Sequence, residues 1–462
     1  MSRDRKRRTV SHRRIAWVVV ALLASSPSIL QAQTPRIQGQ GAAASGMGNA
    51  FTAQADDPSA LHYNPAGMTQ LRGVQNMFGA LIIGGSTSFV SPSGVATTGD
   101  RGGSVAWPLP GHFFLTANLK DVGFASLENW TVGVGLTTPF GSLSQYPLNG
   151  PFRTAVTFTT LPLLDIKPTI AYKVNEQLSI GLGADICTFS GLFGEGHVEQ
   201  QSIWPGGLGI PAGSRVELKG SDTTAGFNIS LLYTPFRNAD GKPLANIGLV
   251  YRSQAVLSLS GQFLSNGRVQ ADATAPLALP SVYSGGFAIW PVRDLTHEWK
   301  LELDVDYIGW KANRDNNVQL STGSRILQPQ NWRNTYNVMI GTEYKWLHLE
   351  RLPEWEIALR GGFTNQQTQV PDFTFNPGIP SADTQIPSVG LGLLCKEQGL
   401  LFGFKCGDLG IGGLTLKAVG LDLSYQAAFY EDRTVTGNRN PTVDGTYKTL
   451  IHVGSFTLRF NY

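Results

Sequence analysis

The sequence predicts an all-β fold: a 14-stranded antiparallel transmembrane β-barrel with a small N-terminal helical plug (hatch) in its lumen. Three observations lead there. Apolar and polar residues alternate with period two in segment after segment from residue 75 onward, the signature of strands with two unlike faces. Charged residues make up only 15% of the chain against about 25% for a soluble protein, while aromatics reach 10%. Finally, no segment after residue 32 offers an apolar helix of about 20 residues. The charge-free stretch 129–152 is broken by Gly133, Gly135, Pro139, Gly141, Pro147, Gly150 and Pro151. A membrane chain without such a helix has a closed barrel as its remaining solution, because every backbone polar group must find a partner.

The N-terminus reads as an address rather than as structure. Residues 1–14 carry seven bases, Ile15 to Ala24 is a ten-residue apolar run, and Ser25 to Gln33 is small and polar. This is the three-part layout of a secretory signal peptide over residues 1–32, with a cut expected after Ala32. The whole chain has 36 Lys and Arg against 33 Asp and Glu; removing seven bases and one acid leaves 29 against 32. The basic balance therefore belongs to the signal, and nothing in the mature chain calls for nucleic acid.

Residues 33–74 form the predicted hatch. Ala42 to Gln54 is small and apolar, with Met47 and Phe51 four apart on one helical face. Asp57-Pro58 supplies a cap followed by Pro at a first helical position, starting a second turn through Leu61. Asn64-Pro65 repeats that grammar for a third turn, Ala66 to Gln70. Three short turns, each with its own cap, make a compact plug.

Residues 75–462 are the predicted barrel. In Glu298 to Tyr307, Trp299, Leu301, Leu303, Val305 and Tyr307 fall on one face and Glu298, Lys300, Glu302, Asp304 and Asp306 on the other. Alternation alone does not say which face is inside: a soluble sandwich buries the apolar side, and a membrane barrel turns it to lipid. Fourteen such segments run from 75–90 to 446–462, with 129–140, 215–236 and 245–263 among them. Odd-numbered connections are mostly long and even-numbered ones mostly short, as expected for outer loops and periplasmic turns. The chain closes on an aromatic, Tyr462.

Particular residues carry a family resemblance. GMGNAF at 46–51, DDPSAL at 56–61 and YNPAGM at 63–68 resemble the hatch of the FadL-type long-chain fatty acid transport family, which also includes porins for aromatic hydrocarbons. Asn64, Pro65, Ala66 and Gly67 stand at its hatch motif. VPD at 370–372 with IPSADTQIPSVGLGL at 379–393 is similar to its stretch before the twelfth strand, and TVGVGLTTPFGSLSQY at 131–146 to its kinked third strand. The resemblance implies a monomeric outer-membrane protein that passes fatty acids or similar lipophilic molecules by diffusion. It implies an apolar internal pocket and a lateral opening at the third-strand kink, here Pro139, Phe140 and Gly141. Pro139 has no ladder donor and Gly141 weakens pairing, so an opening there is physically reasonable; the plain alternative is that Pro139 ends the strand.

An apolar pocket recovers roughly 25 cal/mol per Å² buried, and Met47, Phe51, Leu61 and Met68 are candidates to line it; the plainer reading, preferred for most of them, is that they pack the plug against the wall. In the family a base near the top of the fifth strand faces the carboxylate. Thr188 to Gly196 has none, and Glu195 is acidic, so a carboxylate would need Arg252 or Arg360 instead. This departure favours a neutral hydrophobic compound.

Cys395 and Cys406 bracket a turn expected in the oxidising periplasm, which predicts a disulfide there, and Cys187 reads as a buried thiol. Seven scattered histidines give no metal spacing, and no cofactor fingerprint or nucleophile elbow stands in a strand–turn–helix context. The leading reading is passive transport of hydrophobic compounds; an aromatic hydrocarbon channel, an outer-membrane lipase and an adhesin are the alternatives.

Overall fold

The computed structural model describes residues 36–100, 105–107, 109–410 and 415–462. The signal-peptide reading of residues 1–32 lies outside the described residues.

Fourteen wall strands follow in chain order: β1 (Val74–Val90), β2 (Gly111–Asn118), β3 (Trp130–Gln145), β4 (Phe158–Lys173), β5 (Leu178–Thr188), β6 (Thr224–Arg237) and β7 (Pro243–Arg252). The second half is β8 (Val282–Arg293), β9 (His297–Ile308), β10 (Thr335–Trp346), β11 (Trp355–Gln366), β12 (Thr384–Lys396), β13 (Ala418–Tyr430) and β14 (Gly445–Asn461). Each pairs antiparallel with the next. β1 pairs with β14 from Gln75↔Asn461 to Val90↔Thr446, which closes the cylinder.

β9 decides which face is inside. Its Lys300, Glu302, Asp304 and Asp306 are buried, Asp304 completely, while Leu303 is 45% exposed. The charged face lines the lumen and the apolar face looks outward. A soluble sandwich would show the reverse, so the exposed belt requires lipid. Aromatic rings in tilted and edge-on contact border the belt at both ends: Tyr251, Tyr283, Tyr307 and Tyr336 on one side, Trp130–Tyr172 and Tyr344–Trp346 on the other.

The turns at the end holding both termini of the barrel are mostly tight. In the β8–β9 turn the Asp294 carboxylate accepts from Thr296 N, Thr296 Oγ1 and His297 N. Those bonds hold its pKa down to about 2. At the opposite end long connections build further strands. The expected segments 215–236 and 245–263 each divide in two: Arg215–Ser221 and Ala255–Ser265 pair with each other above β6 and β7. Each half keeps a period of two on its own, so alternation reads as strand on both sides of each break. Beneath these loops Phe89, Phe152, Leu257, Trp310, Phe375 and Tyr447 pack as an apolar cap.

Candidate functional site: hatch, cavity and wall bulge

The hatch consists of α1 (Ala42–Gly46), α2 (Ala60–Tyr63) and a 3₁₀ turn (Pro65–Gln70). The helix expected to reach Gln54 stops at Gly46, because Gly48 (φ 65°) and Asn49 (φ 62°) turn left-handed. The chain between α1 and α2 then gives its amides to the wall. Phe51 N and Thr52 N donate to Asp304 Oδ2, both at 2.8 Å, and Ala53 N and Gln54 N donate to Glu302 Oε1 at 2.7 and 3.1 Å. Four consecutive amides thus sit on two wall carboxylates, a small anion nest. Lys300 Nζ neutralises Glu302 from 2.8 Å.

The hatch motif has a structural explanation. Asn64 Nδ2 donates to Thr52 O at 2.8 Å and to Leu231 O of β6 at 3.1 Å, while its Oδ1 caps Ala66 N at 3.1 Å. Pro65 fits the first turn without needing a donor. Ala66 is fully buried, and a side chain at Gly67 would overlap Ala55. The triplet ties three parts of the plug to one wall strand.

Met47, Phe51, Leu61 and Met68 are packed in the seat of the plug rather than along the cavity above it. Met47 and Phe51 pack with Ala44 and Tyr63; Leu61 and Met68 pack with Met77, Phe114 and Ala171 of the wall. They are spent on seating the plug. The two arginines are likewise engaged. Arg252 Nη1 is paired with Asp185, which also binds Lys167. Arg360 bonds Glu343 and Asp422, each at 2.6 Å. Both guanidiniums are thus ion-paired with carboxylates of the wall.

A cavity of about 220 Å³ lies between hatch and cap. Its apolar lining is mostly aliphatic: Ile37, Leu81, Leu161, Leu163, Ile386 and Ile451, with Phe140. Its polar end is made of amides, Gln38, Asn49, Gln366 and Gln426, beside Arg36, whose Nη1 is 2.5 Å from Asp306 Oδ2. Trp107, 77% exposed, stands at its mouth. A smaller apolar groove under the outer loops, about 150 Å³, shares Ser142, Leu161 and Ile379 with it.

The cavity reaches the wall at Phe140 and Gly141. β3 does not end at Pro139, as the plain alternative held; it runs on to Gln145, with a register shift against β4 between Thr137 and Phe140. Two residues of β3 there, Thr138 and Pro139, face one of β4, Leu164, which is a β-bulge. On the other side the β2 ladder stops at Leu136. From Pro139 to Phe140, among the described residues, the backbone partners on that side are the hatch's own, Arg36 bridging Phe140 and Ile37 N donating to Pro139 O at 2.8 Å; farther up Asp100 pairs with Gln145. Gln40 bonds both backbone groups of Thr138. Arg36, Ile37 and Gln40 were invisible in the sequence, which placed the bulge but not what faces it.

Cys395 and Cys406 are joined by a disulfide with Cα atoms 6.2 Å apart, and Cys187 is a buried thiol. Among the described residues no cluster of His, Cys, Asp and Glu has metal-holding geometry. His62 is buried in α2 and its Nδ1 has no partner.

A closed barrel with lipid outside, a hydrogen-bonded plug inside and an apolar cavity above it defines a plugged outer-membrane transport protein. The family model described as outer membrane protein transport protein (OMPP1/FadL/TodX) matches residues 18–402, and the chain belongs to that family of outer-membrane transporters of hydrophobic compounds. A long-chain fatty acid transport protein of Escherichia coli O6:H1 is 21% identical over 416 residues, covering 82% of this chain and 87% of the relative. The crystal structure of a Pseudomonas aeruginosa FadL homologue superposes with TM-score 0.71 at 17% identity, covering 93% of this chain and 100% of the other. The Pseudomonas putida toluene transporter TodX gives TM-score 0.62 at 14% identity, covering 93% and 100%. At such identities the structures establish the fold.

Proposed function

We propose that the barrel takes up long lipophilic molecules, fatty acids or similar amphiphiles, and releases them sideways into the membrane at the β3 bulge. The observation that carries this reading is the continuity of apolar surface: the outer groove shares Leu161 with the cavity, and the cavity shares Phe140 and Gly141 with the wall beside the bulge. A solute enters the groove, settles in the cavity with its apolar part against Leu81, Leu161 and Leu163, and leaves past Gly141 when Ile37 moves aside. Each methylene buried contributes about 0.8 kcal/mol. The amide end of the cavity offers hydrogen bonds without net charge, since Arg36 is paired with Asp306. A hydroxyl, amide or protonated acid therefore suits it better than an ionised carboxylate. The hatch, bonded at Asp304, Glu302 and Asn64, stays in place and denies a straight aqueous path.

The test is uptake of labelled oleate and, separately, of toluene by cells with and without the gene, together with mass spectrometry of whatever copurifies in the lumen. Gene-dependent oleate uptake supports the proposal. Gene-dependent toluene uptake with no effect on oleate would move the protein to the aromatic hydrocarbon class. Ester hydrolysis by the purified barrel would overturn both.

A further inference from the structure

We propose that the disulfide-stapled hairpin between β12 and β13 is a membrane foot, whose apolar tip (Leu400, Phe402 and Phe404) is seated among the phospholipids of the periplasmic leaflet. The placement starts from the parity of β12. Gly390 and Gly392 face the hatch and Arg360 inside the barrel, so Val389, Leu391 and Leu393 face outward. Cys395 is the next residue of that outward set. It is only 1% exposed, and its sulfur is bonded to the buried Cys406. The disulfide therefore pins the insert to the lipid-facing side of the wall rather than under the lumen. Trp355 pairs with Cys395 and shares the outward parity of Leu359, so the staple sits beside the inner aromatic edge of the belt.

The insert then presents its apolar residues rather than hiding them. Leu400–Leu401 pairs with Phe404–Lys405 as a minimal hairpin, and Phe402 and Gly403 form its tip with φ of 51° and 88°. Leu400 is 62% exposed, Phe404 67% and Phe402 94%. An aromatic residue in the left-handed region is disfavoured, and full exposure to water gives it no compensating contact. Nothing among the described residues covers it. The staple that carries the tip stands on the lipid-facing side of the wall, which singles out a phospholipid leaflet as the occupant. Lys405 stands next to the tip, exposed and bonded to Gln398, at the position where a snorkelling cation meets lipid phosphate. A foot of this kind fixes the depth of a wall strand whose lumen face holds the hatch.

The experiment places a nitroxide at the tip. Phe402→Cys, in a Cys187→Ser background, is labelled and reconstituted in phosphatidylethanolamine/phosphatidylglycerol vesicles; Asp240→Cys in the β6–β7 turn serves as the aqueous reference. Collision with oxygen and with a nickel chelate is read by electron paramagnetic resonance. The proposal expects an oxygen-to-nickel ratio at position 402 at least threefold above that at 240, falling on moving the label to 405. Equal ratios at 402 and 240 would put the tip in periplasmic water and overturn the proposal. Dipolar broadening at 402 that dilutes away with unlabelled protein would show a second copy covering the tip, and would overturn it as well. Native heat-modified migration of each variant establishes that the barrel is folded.

Discussion

Gln40 of the hatch and Thr138 of the wall hold each other by two hydrogen bonds: Gln40 Nε2 donates to Thr138 O at 3.2 Å, and Thr138 N donates to Gln40 Oε1 at 3.1 Å. Thr138 is one of the bulged residues, so a side chain of the plug supplies partners that a neighbouring strand would otherwise give. The bulge is thus closed from inside, by the element that also floors the cavity. Gln40→Ala leaves both backbone groups unpaired, at about 1–3 kcal/mol each. The expected outcome is faster amide exchange in a peptide spanning 136–141, with exchange elsewhere in the wall unchanged. Hydrogen–deuterium exchange with mass spectrometry reads it.

The hatch should be held more by carboxylates than by its own helices, which are too short to stand alone. Asp304→Ala removes the acceptor for Phe51 N and Thr52 N. Loss of about 2–4 kcal/mol of seating is expected, with the plug becoming sensitive to protease and the cells to large antibiotics. Asp304→Asn keeps one carbonyl oxygen and should fall between the two.

Close approach of the hatch backbone also restricts the wall. A Cβ at Gly341 of β10 would stand 2.6 Å from Met47 O. Gly341→Val is expected to cost about 1–3 kcal/mol by overpacking and to raise ion conductance in planar bilayers as the plug is displaced. Gly361→Val, whose Cβ meets only Thr342 at 3.7 Å, is the matched control.

The aliphatic lining predicts a dependence on chain length. If about 0.8 kcal/mol is recovered per methylene, affinity of the purified barrel for saturated alcohols should rise roughly fourfold per carbon until the cavity is filled. Isothermal titration across a homologous series measures the slope. A flat series would mean that the polar end, Gln38, Asn49, Gln366 and Gln426, sets affinity instead.

Much of the fold was legible because a barrel strand writes its two faces in alternate residues, as β9 does. The sign of those faces was not, since Lys300 and Asp304 alternate with Leu301 and Val305 whichever side is wet; burial of Asp304 supplies it. The ends of β6 and β7 were misplaced because strands outside the membrane keep the same period. The motif residues Asn64 to Gly67 were readable as caps and close contacts, whereas Arg36 and Gln40 act on residues some hundred positions away and have no local pattern. Met47, Phe51, Leu61 and Met68 look the same in sequence whether they face a solute or a neighbouring side chain; Met47 and Phe51 cluster within the plug, and Leu61 and Met68 cluster with the wall.

The lateral exit rests on the contact between Ile37 and Gly141, where a Cβ at Gly141 would lie 2.9 Å from Ile37 Cδ1. The most direct measurement pairs Ile37→Cys with Gly141→Cys, bridges them with a short reducible bis-thiosulfonate, and follows oleate uptake before and after reduction. Uptake should fall at least tenfold when bridged and return when the bridge is cut, with each single-cysteine variant unaffected. Uptake that proceeds at the unbridged rate through a demonstrably bridged barrel would contradict the exit at β3.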